Sequence, residues 1–444
     1  MRPEPCWFAF RLLLFTISVS CRVIADPQTP EPAGQMEAVL ARLDRLEAEN
    51  TRLRTELEKL QARLGIGSEP PLEERVAVTE QRVEEQAQAK VESSQRAIVR
   101  LKGMLLFNAF SSGRNGVPAD FPTIATAARN SSQIRATMRQ SSVGIAVESP
   151  FSIAGAHARG ELMADFFGEF EDYNTPRIRT GFLELQWPST AVTVGIEKPI
   201  VAPRNPSSLA QFLYPALWGA GNLWLWQPQI RIEQKFNLAG SEVKLQAGLL
   251  QTNDQRALPG NSSIVLQPRP AWQGRLAFAR RFGEDRAFEV APGFHSSRSL
   301  LQGTSVLSQL ITTDWRIAPA SQWELTGAMF TGRNAGPIGG VRQGIAFVRP
   351  GVPQAVRTFG GWNQLMYRPV ERLRLHAILG QQDDNDSDAG RGSLSRNVSW
   401  MLNGILQLGP NVLVGLEAQQ IRSSYVGLPT RVLNRYDVSL GYLF

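Results

Sequence analysis

The sequence ends on Tyr436-Asp-Val-Ser-Leu-Gly-Tyr-Leu-Phe444. Apolar side chains occupy alternate positions of this stretch, namely Tyr436, Val438, Leu440, Tyr442 and Phe444. Successive side chains of a β-strand point to opposite faces, so the pattern predicts one apolar face and one polar face. A strand of a transmembrane barrel needs this division, because it meets lipid on one side and a wet interior on the other. An edge strand of a soluble sandwich would show the same alternation.

The composition permits a membrane protein only in the form of a barrel. The chain has 444 residues, of which 20% are charged, and its mean hydropathy is -0.18. No run of about 18 apolar residues follows the first 25 residues, which argues against a spanning helix. Lipid tolerates only helices and closed barrels, since every backbone polar group must be satisfied within the protein. A barrel places its apolar residues at alternate positions, so a slightly negative mean hydropathy is expected.

The first 25 residues resemble an export signal. Arg2 and Arg11 precede an apolar run at residues 12–19, and small residues lead up to Ala25. We therefore predict a signal peptide at residues 1–25. Cys21 leaves a lipoprotein signal open as an alternative. Both cysteines, Cys6 and Cys21, fall within this segment, so we expect no disulfide and no cysteine-ligated metal in the mature chain.

A proline-rich linker, residues 26–34, precedes a predicted coiled coil at residues 35–65. Its seam has unbroken 3-4 spacing and consists of Met36, Val39, Leu43, Leu46, Asn50, Leu53, Leu57, Leu60 and Leu64. Asn50 occupies an a position, where a buried amide fixes register. Leu40 widens the apolar stripe and favours a trimer over a dimer, although a single amphipathic helix lying on the barrel stays possible. Residues 66–97 are predicted to form a polar helical stalk or linker.

Residues 98–444 are predicted to form an all-β transmembrane barrel of sixteen antiparallel strands. The strand-like segments are 98–110, 134–148, 153–167, 178–187, 190–197, 223–236, 242–251, 271–282, 286–297, 304–317, 321–331, 356–368, 372–381, 394–408, 411–421 and 433–444. Short turns and long connections alternate between them. Outer-membrane barrels have short turns on the periplasmic side and long loops outside. An even number of strands brings both ends of the barrel to the periplasmic side, which would put the coiled coil in the periplasm.

Face periodicity predicts a polar interior and therefore a channel. The expected pore-lining residues are Arg159, Glu161, Arg231, Glu233, Arg275, Arg372, Arg374 and Arg435. The same periodicity assigns Trp224 and Trp226 to an outer aromatic girdle. From residue 98 onward the chain has 34 Lys and Arg against 24 Asp and Glu. Such an excess favours anions in a pore. Alternatively, these arginines are paired with neighbouring carboxylates, and lipopolysaccharide accounts for the remaining charge.

The longest connection, residues 198–222, is too apolar for a free loop. Its candidate constriction residues are Lys198, Arg204, Phe212, Tyr214 and Trp218. Folding into the barrel mouth would bury the aromatic side chains and would narrow the pore. Packing against a neighbouring barrel is the alternative.

Motifs for catalysis and cofactors are missing from the sequence. It contains no Walker phosphate loop, no HExxH and no nucleophile elbow, so we expect neither an enzyme nor a cofactor. Residues 383–388 resemble a calcium loop at alternate positions, but Ala389 replaces the turning glycine, and no metal site is predicted. The basic charge is interleaved with lipid-facing strands, which argues against nucleic acid as a partner.

In plan, the chain resembles the trimeric bacterial outer-membrane porins, and among them the dicarboxylate-channel (DcaP-like) type. The signal peptide, the periplasmic heptads, the sixteen strands, the long third loop and the terminal Phe444 carry this resemblance. It implies a homotrimer in the bacterial outer membrane, in contact with lipid and lipopolysaccharide, that passes small hydrophilic solutes, in particular anions, by diffusion. A barrel that anchors the envelope or mediates adhesion, with a plugged lumen, is the alternative.

Overall fold

The computed structural model describes residues 32–64, 79–83, 97–116, 120–126, 132–168, 175–252, 265–283, 285–340, 344–349 and 351–444. The predicted signal peptide lies outside these residues, as do most of the predicted linker and stalk. The chain divides into two units, Met1–Gln88 and Ala89–Phe444.

The first unit contains one long helix, α1, at Pro32–Leu64. Five leucines of the predicted seam have exposed side chains: Leu43 50%, Leu46 54%, Leu53 59%, Leu57 58% and Leu60 55%. An exposed apolar stripe along a helix is what a coiled-coil partner would bury. Among the described residues, no helix has the length and apolar character needed to cross a membrane.

The second unit is a closed antiparallel barrel of sixteen strands, which confirms the predicted fold class. The described residues contain nineteen strand segments: β1 Ile98–Ser112, β2 Gln133–Thr137, β3 Ser142–Ile153, β4 Ala156–Asp165, β5 Arg177–Gln186, β6 Thr190–Glu197, β7 Gln227–Leu238, β8 Ser241–Leu250, β9 Ala271–Phe282, β10 Arg286–Leu301, β11 Thr304–Ala320, β12 Trp323–Arg333, β13 Ile345–Arg349, β14 Val352–Ala355, β15 Arg357–Val370, β16 Leu373–Asp384, β17 Leu394–Gln407, β18 Val412–Tyr425 and β19 Leu428–Leu443. β13 and β14 form a separate two-stranded hairpin that is not part of the barrel sheet.

The second barrel strand is interrupted, which the sequence did not predict. β2 pairs with the end of β1 at Asn108–Ser112, whereas β3 pairs with its beginning at Ile98–Met104. Together β2 and β3 occupy one position in the ring, and β19 closes the ring by pairing with β1 on its other side. The break at residues 138–141 turns polar side chains toward the barrel interior, where Gln140 and Ser141 are buried.

Two connections that were predicted to be long are two-residue hairpins. β10 and β11 meet at Gln302-Gly303, and β18 and β19 meet at residues 426–427. Gln302 and Gly303 have φ values of 49° and 79°, the combination found in type I′ turns, whose twist matches that of the flanking strands. A short helix, α2 at Asp386–Ala389, lies in the connection between β16 and β17.

The two faces of the closing strand have opposite character. Tyr436, Val438, Leu440 and Tyr442 are 61%, 53%, 52% and 50% exposed, whereas Arg435, Asp437 and Ser439 are 1–3% exposed. The apolar side chains therefore form the outer surface of the barrel, and the polar side chains point inward. This inversion of a soluble protein's pattern is expected where lipid covers the outside.

Candidate functional site

The connection between β6 and β7, residues 198–226, lies inside the barrel; we call it loop L3. It is held to β7 by Gln229, whose Nε2 donates to the Lys198 carbonyl at 2.7 Å. On β17, Asn403 Nδ2 donates to the Ser207 carbonyl at 2.8 Å. β7 and β17 are eight positions apart in the ring of sixteen, so they face each other. Loop L3 therefore crosses the interior from one wall to the other.

An ion-pair network fastens loop L3 to β9, β10 and β11. Arg204 from the loop binds Asp314 and Glu289, each at 2.7 Å. Arg275 binds the same two carboxylates, at 2.7 Å to Asp314 and 3.0 Å to Glu289. Its Nη1 also donates to Gln246 at 3.0 Å. Asp314 is 1% exposed and Arg275 is 5% exposed, so water contributes little to their solvation.

A second anchor holds the loop to β18. Glu417 accepts hydrogen bonds from Ser208 Oγ at 2.6 Å and from Gln211 Nε2 at 3.1 Å. Gln211 Nε2 also donates to Gln419 at 2.8 Å. Where the second barrel strand is interrupted, Gln140 Oε1 accepts from the backbone N–H of Phe212 at 2.8 Å. These bonds fix the middle of the loop to β18 and to the break between β2 and β3.

An aromatic cluster fills the space between loop L3 and the neighbouring segments. Tyr214 stacks on Phe121 with ring centroids 3.7 Å apart, and Trp218 and Trp224 lie within 5.1–5.7 Å of Tyr214. Trp224 also contacts Trp226 at 4.6 Å. The assignment of Trp224 and Trp226 to an outer girdle is therefore wrong, because both precede β7 and pack with the loop. Trp224 is only 4% exposed.

Most of the predicted pore-lining residues form ion pairs. Arg159 binds Glu184 at 2.8 Å, Glu161 binds Lys102, and Glu233 lies 3.6 Å and 3.5 Å from the amino groups of Lys235 and Lys244. Arg159 thus pairs with Glu184 on the neighbouring strand β5 and not with Glu161, which is two residues away in sequence.

Arg435 points inward but is covered. Its guanidinium binds Asp437 at 2.8 Å, donates to the Asp120 carbonyl at 2.6 Å and lies 3.7 Å from the ring centroid of Phe110. With 1% exposure, Arg435 has no contact with an open lumen. Arg275 is buried in the ion-pair network described above, so neither residue is placed at a solvent-filled surface.

Three predicted lining residues carry charge without a counterion among the residues that the structure describes. Arg231 lies half-buried on β7, while Arg372 and Arg374 are exposed at the turn that precedes β16 and at the start of that strand. Within the described part of the chain, no carboxylate forms an ion pair with any of the three. Their charge is therefore available to ions in the adjacent water.

The five candidate constriction residues are distributed over loop L3. Arg204 is committed to the ion-pair network, and Tyr214 accepts a hydrogen bond from Arg177 at 2.8 Å. Trp218 Nε1 donates to the Gly339 carbonyl at 3.0 Å. Phe212 is 37% exposed, and Lys198 is half-buried at the start of the loop.

Sequence reasoning missed the wall residues that receive the loop. Asp314, Glu417 and Asn403 have inward polar side chains, which face periodicity could have identified. Gln140 lies in the break of the second barrel strand, where no ladder defines a face. The partners of these four residues in loop L3 lie between 70 and 209 positions away in the chain, and no local pattern contains that information. In the described residues, no group of three or more His, Cys, Asp or Glu side chains is arranged to hold a metal ion.

Comparison with solved structures places the chain in the fold of the outer-membrane porins. The outer-membrane channel DcaP of Acinetobacter baumannii is 15% identical, with a TM-score of 0.67 over 78% of this chain and 97% of that protein. An anion-selective porin from Comamonas acidovorans is 12% identical, with a TM-score of 0.55 over 79% of this chain and all of the porin. No protein-family model and no curated protein matches the sequence.

Proposed function

We propose that the protein is an outer-membrane channel for passive diffusion of small hydrophilic solutes, with a preference for anions. The observation that carries the proposal is a polar inner wall on which Arg231, Arg372 and Arg374 have no described carboxylate partner. Unpaired arginines beside water raise the local concentration of anions. The structural similarity to a channel and to an anion-selective porin supports the same conclusion.

Replacing Arg372 and Arg374 together by alanine should lower the anion preference. Both side chains are exposed, so their loss removes two positive charges with little effect on packing. The measurement is the reversal potential of single channels in planar bilayers under a potassium chloride gradient. We expect it to shift toward the value of a nonselective pore.

Arg316→Ala provides a control for this variant. Arg316 also has an exposed side chain, but it is paired with Glu324 at 2.7 Å. Its removal should leave the reversal potential close to that of the wild type. If the double variant also keeps the wild-type potential, Arg372 and Arg374 do not contribute to selectivity.

The exposed seam of α1 supports a further part of the proposal, namely that the helix assembles the chain into a homo-oligomer, preferably a trimer. Leu53→Asp would place a charge at the centre of the seam, where burial without a partner is unfavourable. We expect this variant to lose the oligomer in size-exclusion chromatography with light scattering. Ala48→Asp, on the opposite side of the same heptads, should retain it. An unchanged oligomer in Leu53→Asp would assign assembly to the barrel instead.

The extent of loop L3 favours a second candidate function, a closed barrel that serves as an envelope anchor. The loop touches opposite walls through Lys198 and Ser207, and much of it is buried. This alternative predicts little or no current in the same bilayer recordings. A stable ionic current from the purified wild-type protein would eliminate it.

A further inference from the structure

A short part of the connection between β12 and β15, residues 334–340, lies inside the barrel; we call it the inward segment. β12 and β15 are neighbours in the ring, so a tight turn would be enough to join them. Instead, Ser308 Oγ on β11 donates to the Asn334 carbonyl at 2.7 Å, and Ser308 is 0% exposed. Within the segment, Ile338 is also 0% exposed. The chain therefore turns back into the interior before it returns to the wall.

Apolar side chains join the inward segment to loop L3 and to the wall behind it. Ala335 and Ile338 belong to one buried cluster with residues of loop L3 and with inward side chains of β11 and β12. The partners are Val201, Ala202 and Leu223 from the loop and Leu310 and Phe330 from the strands. Each side chain of the cluster is at most 7% exposed. Separating the segment from the loop would expose this apolar surface to water, which is unfavourable.

The backbones of the inward segment and of loop L3 are also in contact. Trp218 Nε1 donates to the Gly339 carbonyl at 3.0 Å, and Gln227 Nε2 donates to the Pro337 carbonyl at 3.3 Å. Gly339 has a φ of 86°, and a β-carbon at this position would collide with the carbonyl oxygen of Trp224. Only glycine permits such a close approach in this conformation. Gly339 therefore lets the two segments pack directly against each other.

The tip of loop L3, residues 216–220, is packed against β15, β16 and β17. Its apolar side chains share a second buried cluster with wall residues, and the members of this cluster are Ala216, Leu217, Ala220, Trp362, Ile378 and Met401. Asn397 Nδ2 on β17 donates to the Gly219 carbonyl at 2.8 Å. Trp218, in the same tip, reaches the inward segment through its bond to Gly339. The tip thus contacts both the wall and the inward segment.

Loop L3 and the inward segment enter the barrel from the same end. With β2 and β3 counted as one strand, β6 and β12 occupy the fifth and eleventh places in the ring, and neighbouring strands are antiparallel, so both run in the same direction. We propose that the inward segment is a second constriction element, which narrows the lumen and supports the tip of loop L3. The proposal rests on the proposed channel function, since a segment inside a pore limits ion flow by reducing the pore diameter.

Removing the inward segment should raise the single-channel conductance while loop L3 keeps its whole sequence. Arg333 and Arg357 are directly opposite each other in the ladder of β12 and β15, so an Asn-Gly turn can replace residues 334–356 without a change of register. We expect the conductance of this deletion in planar bilayers to rise about twofold or more, because the pore diameter limits ion flow. Ile338→Asp, which places a carboxylate in the apolar cluster, should raise it in the same direction without shortening the chain.

Two matched controls come from the same connection. Ile345 lies opposite Ala355 in the hairpin of β13 and β14, so an Asn-Gly turn can replace residues 346–354 and leave the inward segment in place. Val352→Asp changes a side chain of this hairpin that is 55% exposed. Both controls should conduct like the wild type. Wild-type conductance in both the 334–356 deletion and Ile338→Asp would overturn the second constriction.

Hydrogen exchange in detergent micelles tests the support of the tip without requiring conduction. The backbone N–H groups of Ala220 and Asn222 both donate to the Leu217 carbonyl, and they should exchange about tenfold faster in the 334–356 deletion than in the wild type. If exchange is faster but the wild-type protein conducts no ions, the support of the tip stands and the channel function fails. If the wild type conducts, and the deletion changes neither exchange nor conductance, the channel stands and the inference about the inward segment fails.

Discussion

Replacing Asp314 by alanine is expected to lower the free energy of unfolding of the barrel by about 3–5 kcal/mol, the range for breaking a buried ion pair by removing one partner. Asp314 neutralises both Arg204 and Arg275, each at 2.7 Å. Without it, Glu289 alone faces two guanidinium groups, and Arg275, 5% exposed, cannot be solvated by water in compensation. Urea unfolding in detergent micelles, followed by tryptophan fluorescence, measures the change.

Glu324→Ala is the matched control for this effect. Glu324 binds Arg316 at 2.7 Å, but the two side chains are 21% and 44% exposed. Exposed ion pairs contribute about 0–1 kcal/mol, so this variant should unfold close to the wild type. Equal losses in the two variants would show that burial of the network around Asp314 has no energetic consequence.

The number of strands could be predicted because the relevant signal is local. A lipid-facing strand alternates within its own sequence, and turn residues mark its ends, so sixteen segments could be counted and the structure has sixteen barrel strands. The errors occur where a contact with a residue far away in the sequence interrupts the alternation of apolar and polar residues. The second barrel strand breaks at residues 138–141, where Gln140 leaves the ladder to bind loop L3.

Loop L3 shows the limit of periodicity more directly. Residues 223–226 continue the alternation of β7, and the sequence therefore assigned Trp224 and Trp226 to the strand. In the structure β7 begins at Gln227, because the two indoles pack against the aromatic side chains of the loop. The alternation of apolar and polar residues assigns a side chain to a face of the barrel only when the residue is paired with a neighbouring strand.

The sequence also did not predict most of the ion pairs that the inward arginines form. Inward positions were predictable for Arg159, Arg275 and Arg435, and Asp437 lies close enough in sequence to be expected as the partner of Arg435. The partners of Arg159 and Arg275 were not predictable. Glu184 and Asp314 lie on other strands, and the register between strands decides which carboxylate comes within reach. The division between paired and unpaired arginines, on which the proposed selectivity depends, therefore required the folded chain.

Excising loop L3 is expected to raise the single-channel conductance several-fold. Glu197 and Gln227 are directly opposite each other in the ladder of β6 and β7, so an Asn-Gly turn can replace residues 198–226 without disturbing the register. The loop crosses the interior between facing walls, and its removal widens the path for ions over the whole cross-section. It also removes Lys198 and Arg204, so the reversal potential should move with the conductance.

The deletion must be distinguished from a general loosening of the barrel. Replacing residues 386–389 by two glycines removes α2 but leaves loop L3 and its contacts with β11, β17 and β18 in place, so this variant should conduct like the wild type. Resistance of the barrel to unfolding in detergent should be checked for both deletions. If the loop-free barrel folds and conducts no more than the wild type, the narrowest part of the path lies outside loop L3, and the wall arginines alone would have to account for any selectivity.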